Sequence, residues 1–145
     1  MSKLIHTLEQ LHLLRHRAVN DLTRKLASQQ RLCQRLENNI HALSGLKQSV
    51  QSSQENAVML SNQSVYKRNL QRVIDWQKQE QALANVEAQK IQRHLLAEFR
   101  REKSIEHVMD ARRKTLRQAQ DQREQKTTDA LSTQSWLRQQ TSRQK

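Results

Sequence analysis

Proline is absent from this chain of 145 residues, glycine occurs once, at Gly45, and four side chains are aromatic: Tyr66, Trp76, Phe99 and Trp136. A β-sheet needs turn residues, β-branched residues and aromatics, and an enzyme pocket needs loops and concave walls, so both are excluded as the organising principle. Cysteine occurs once, at Cys33, so no intrachain disulfide can form and a reducing compartment is expected. The longest uninterrupted apolar run is Ala57 to Leu60, far short of a signal-peptide core or a membrane span. Hydrophobic residues make up 34% of the chain, too few for a round core. Helices that each bury one apolar stripe remain.

Acidic residues are also scarce: 26 basic against 14 acidic side chains give +12. A field of that size favours an acidic partner, whether nucleic acid, an anionic membrane surface or an acidic protein face, and selects none of them.

The stripes are found by stepping through the chain in alternating fours and threes. From Ala84 to Leu137 the ruler meets Ala84, Ala88, Ile91, Leu95, Glu98, Glu102, Ile105, Met109, Arg112, Leu116, Ala119, Arg123, Lys126, Ala130, Thr133 and Leu137. Such a 3.5-residue apolar period predicts a long helix lying along a partner helix, with polar breaks that weaken the seam. On the same ruler Leu4, Leu8, Leu11, Arg15, Ala18, Leu22, Lys25, Gln29, Leu32, Leu36, Asn39, Leu43, Leu46 and Val50 form a first helix, over about 3–50, with Ser2 as its N-cap. Gly45 falls inside it and predicts fraying or a bend.

Between them, Ser52, Ser53, Asn56, Ser61, Asn62 and Ser64 mark a connection over about 51–64, in which Ala57 to Leu60 is expected to fold back as a short helical turn. Periodicity resumes at Val65, Tyr66, Leu70 and Val73, with a register slip expected between Gln77 and Ala84. A short connection makes the two helices antiparallel: an all-α, two-helix coiled-coil hairpin in a single domain, its second helix running over about 65–140. At 1.5 Å per residue the helices are roughly 70 and 110 Å long, so pairing is used up near Arg112. About thirty residues of helix 2 then lack a partner. From Arg113 onward they carry eight basic and three acidic residues, with Leu131, Trp136 and Leu137 as apolar contacts.

No phosphate-binding glycine loop, nucleophile–base pair or metal motif is present. His12 and His16, with Glu9 on the same side, could reach one metal ion, but no fourth ligand follows in sequence, so a solvated helix face is the expectation. Cys33 reads as a small residue at the seam edge, not a nucleophile. Glu98 and Glu102, among Lys90, Arg100, Arg101 and Lys103, read as an exposed, ion-paired face, not an acid/base pair. Neither catalysis nor a cofactor is expected. The clusters Arg100, Arg101, Lys103 and Arg112, Arg113, Lys114, Arg117 could meet phosphates, yet aromatics interleaved for base stacking are lacking, so an acidic protein surface is the expected partner in place of nucleic acid.

The pattern resembles the FliJ family, the coiled-coil component of the flagellar type III export apparatus. The resemblance rests on the chain length, the segment Leu32-Cys33-Gln34-Arg35-Leu36-Glu37-Asn38-Asn39-Ile40, the polar connection, the opening of helix 2 at Val65-Tyr66-Lys67-Arg68-Asn69-Leu70-Gln71-Arg72-Val73-Ile74, and the Gln- and Arg-rich tail with Trp136. It implies a non-enzymatic stalk, similar to that of rotary ATPases, in the cytoplasm and peripheral to the inner membrane. The partners implied are a hexameric export ATPase, a membrane export gate protein and substrate-specific export chaperones, with membrane contact only through them. The family's gate-facing patch would fall on Asn39, Leu43, Leu46, Val50, Leu70, Ile74, Gln77 and Gln81. For the ATPase, the basic end gives Arg112, Arg113, Lys114, Arg117, Arg123 and Lys126, with Lys3, Arg15 and Arg17 of helix 1. Alternatives are a stalk of a virulence-type secretion system, a basic coiled coil on nucleic acid, and a self-associating coiled coil using Leu4, Leu8 and Leu11.

Overall fold

The computed structural model describes residues 2–50 and 57–144. Two helices account for nearly all of them: α1, Ser2–Ser49, and α2, Ala57–Arg143. They pack antiparallel, and the second is the longer. Nothing in either helix interrupts the backbone ladder, since proline is missing and no described residue has a positive φ. Gly45 is no exception, because α1 continues through it to Ser49 without a break. Side chains of Met1, Ser2 and 51–56 lie outside the described residues, and with them the N-cap and the first half of the expected connection.

The chain divides into two compact units. One comprises His16–Phe99, the other Met1–Arg15 with Arg100–Lys145, and α2 runs unbroken through both. In the first unit the core is thin. Among its described residues Leu70, Ile74, Ala84 and Ile91 are the buried apolar side chains, and Leu22, Leu26, Leu36, Ile40 and Leu95 are half-buried. Gln29 Nε2 donates to the Ala84 carbonyl at 3.0 Å, and Lys47 Nζ donates to Gln71 Oε1 at 2.6 Å. These two bonds tie α1 to α2 in the observed register. In the second unit, among the described residues, Met109 is the buried apolar side chain and Ile5, Leu8 and Ile105 are half-buried.

Burial along α2 recurs at Leu70, Ile74, Gln77, Gln81, Ala84, Ala88, Ile91, Leu95, Glu98, Glu102, Ile105, Met109 and Leu116. The spacing alternates four and three throughout, except across exposed Arg112, so the expected register slip does not occur. Gln77 and Gln81 simply fill seam positions with polar side chains, and Val65, Tyr66 and Val73 face outward. The expected fold-back at Ala57 to Leu60 is also corrected: these residues are the exposed first turn of α2, which starts at residue 57 in place of about 65.

On α1 the seam is Ile5, Leu8, His12, Arg15, Val19, Leu22, Leu26, Gln29, Cys33, Leu36, Ile40, Leu43 and Lys47, followed by Val50 just past its end. Half of the expected residues hold. Those at Leu4, Leu11, Lys25, Asn39 and Leu46 are displaced by one position and exposed, while Ala18 and Leu32 keep partial cover beside the seam.

Candidate partner-binding surfaces

Displacement by one residue brings His12 inward. Its Nε2 lies 3.1 Å from Glu106 Oε1 and 3.6 Å from Glu102 Oε1, both on α2. Lys103 Nζ donates to the other oxygen of Glu106 at 3.0 Å, and one turn away Arg113 Nη2 donates to Glu9 Oε1 at 3.0 Å. Hydrogen bonds from His12 and then Lys103 hold the Glu106 carboxyl below its ordinary range, against partial burial. The solvated face expected for His12 is therefore not found, and the His12–His16–Glu9 grouping is dissolved: Glu9 serves Arg113, and His16 is exposed.

Glu98 and Glu102 also depart from expectation. They are 5% and 6% exposed, placed in the seam itself and not on an ion-paired outer face. A buried carboxylate costs stability unless partnered, and such polar layers restrict which registers two helices can adopt. Cys33 sits half-buried in the seam, as its size predicts.

Past Leu116 the character of α2 changes: every residue from 117 to 144 is exposed. The seam stripe continues there as Ala119, Arg123, Lys126, Ala130, Thr133 and Leu137 with nothing covering it. An isolated helix is marginal in water. Its threonines bond their own backbone, Thr127, Thr128, Thr133 and Thr141 each donating to the carbonyl four residues earlier, so these hydroxyls turn back onto the helix. Leu131, Trp136 and Leu137 are 61%, 57% and 52% exposed.

Of the residues assigned to an acidic ring, Lys3, Arg17, Arg112, Lys114, Arg117, Arg123 and Lys126 are exposed. Arg113 is exposed as well but tied to Glu9, and Arg15 is half-buried in the seam. Of those assigned to the gate, Leu70 and Ile74 are buried, and Leu43, Val50, Gln77 and Gln81 are half-buried, which leaves Asn39 and Leu46 outward. Sequence reasoning passed over a second apolar stripe on the outer face of α2. Met59, Tyr66 and Val73 follow one another at intervals of seven, as do Trp76 and Leu83, and all five are exposed. That seven-residue spacing was the signal. The expected seam takes up the same residues, because it turns Tyr66 and Val73 inward.

No helix among the described residues is long and apolar enough to cross a membrane. A protein-family model described as Flagellar FliJ protein matches residues 4–141. No curated protein and no solved structure matches the chain.

Proposed function

Because the chain belongs to the FliJ family, a non-enzymatic component of the flagellar export apparatus, we propose that it is the stalk of that apparatus, using its bare basic helix to enter the ring of the export ATPase. The observation that carries this reading is the uncovered length of α2 from residue 117 to 144, helical to Arg143 and continuing a seam that has lost its partner strand of side chains. A helix with an unfilled stripe of Ala119, Ala130 and Leu137 interleaved with Arg123 and Lys126 suits a pore lined by acidic side chains. Opposite potentials speed the encounter and align the helix before close contacts form. Arg112, Lys114, Arg117, Arg123 and Lys126 make the contact, with Lys3 and Arg17 alongside; Arg113 and Arg15 act within the hairpin.

Seating in the ring promotes its assembly. The same chain couples the ring to the membrane export gate and passes on emptied export chaperones, from the cytoplasm and the membrane's inner periphery. The gate contact falls on the outward residues near the connection, Asn39 and Leu46 with the stripe of Tyr66, Val73, Trp76 and Leu83, since Leu70 and Ile74 are reachable only by parting the helices.

The test is charge reversal at Arg117, Arg123 and Lys126 together, followed by ATPase hexamer formation and ATP turnover. Stimulation is expected to fall at least about tenfold, steeply with salt, while helicity stays unchanged. Stimulation by the reversed variant equal to the parent's at low salt would sink the assignment. Polyanion that displaces the ATPase and itself binds tightly would favour the nucleic-acid reading, for which the net charge of +12 is the one supporting observation.

A further inference from the structure

Three donor atoms meet in the unit formed by the start of α1 and the second half of α2. His12 Nε2 lies 3.1 Å from Glu106 Oε1 and 3.6 Å from Glu102 Oε1, and one ligand atom from each residue lies within 4.8 Å of the others. We propose that His12, Glu102 and Glu106 form a binding site for a divalent transition cation of the zinc class.

Geometry argues for it first. With metal bonds of about 2.0–2.2 Å, neighbouring ligands of a tetrahedral ion stand about 3.3–3.6 Å apart, so separations of 3.1 and 3.6 Å lie close to the edge of such a site. Glu102 and Glu106 are one helical turn apart, hence on one face of α2, and the imidazole arrives from the facing helix. Chemistry argues second. A divalent cation engages an imidazole nitrogen and two carboxylate oxygens together and offsets the charge of both carboxylates. One nitrogen and two oxygens suit zinc, cobalt or manganese better than a soft monovalent ion. Three protein ligands leave a fourth position for water.

The surroundings are already arranged. Lys103 holds Glu106 Oε2, the oxygen facing away from His12, and so orients the carboxylate in the way an outer-shell partner does. Glu102 is 6% exposed, which shields the site on one side. Occupancy would pin α1 to α2 beside the Arg113–Glu9 pair, so the cation would act as a clamp within this unit. The inference does not depend on the stalk reading.

Full-length protein stripped with chelator would be titrated with zinc by calorimetry and with cobalt by visible absorption. One ion per chain is expected, with cobalt bands of a low-coordinate site. His12→Gln, which keeps a hydrogen-bonding side chain in the seam, and Glu106→Gln should each weaken binding by at least about tenfold, and His16→Ala should leave it unchanged. Helicity measured by circular dichroism checks that each variant is folded. Zinc binding of equal strength in both folded His12 and Glu106 variants, or no one-to-one binding in the parent, would overturn the proposal.

Discussion

At the scale of single residues, polar side chains decide this seam as much as apolar ones. Among the described residues five apolar side chains are buried, none of them fully, and Glu98 and Glu102 are buried with them. Gln77 places Oε1 in the interior without a protein partner among the described residues. Glu106 offers the clearest pH consequence. Its carboxyl titrates lower in the folded chain than the ordinary 4.5, because His12 and Lys103 favour the charged form. Its contribution is therefore present above the unfolded carboxylate's titration and lost as pH falls through the folded value. In chelator-stripped protein, Glu106→Gln should be less stable than the parent at neutral pH. The gap should close as the solution is taken through the acid side of the carboxylate range, read as the urea midpoint at each pH. A gap of constant size would mean that the two bonds to Glu106 carry no linkage.

At the scale of the element, each helix was legible in the sequence because its period is a property of one chain segment. Leu8, Arg15, Leu22, Gln29, Leu36 and Leu43 of α1, with Val50 just past its end, lie on the seam under either reading. The choice between the two neighbouring columns was not legible. Leu4, Leu11, Ala18, Lys25, Leu32, Asn39 and Leu46 include five apolar residues, and so do Ile5, His12, Val19, Leu26, Cys33, Ile40 and Lys47. Composition ties, so partners on the other helix break the tie: His12 meets Glu102 and Glu106, and Lys47 meets Gln71. Gly45 belongs at this scale too. A Cβ there would meet nothing within 4 Å, and α1 needs no bend at that point. Gly45→Ala should raise stability by about 1 kcal/mol, read from the urea midpoint, because glycine's extra unfolded freedom is removed at no steric cost.

At the scale of the whole molecule, unequal helix lengths leave α2 with residues that α1 cannot cover. Removing residues 118–145 should lower helical ellipticity roughly in proportion to the residues lost and leave the midpoint of the cooperative thermal transition nearly unchanged, since every described side chain removed is exposed. On the proposed stalk reading the same truncation should abolish stimulation of the export ATPase, separating stability from function in one variant. A large fall in the midpoint would show that this segment stabilises the hairpin, contrary to its exposure. The sequence by itself determined the helices, their antiparallel pairing through a short connection, and the surplus of basic helix, because period, chain length and charge can all be counted on one strand. Only the tertiary structure decided which column of α1 turns inward, that Glu98 and Glu102 are buried, and that Leu70 and Ile74 are withdrawn while Tyr66, Val73 and Trp76 are presented. Those outcomes depend on what stands opposite each residue across the seam, and a heptad pattern does not specify that.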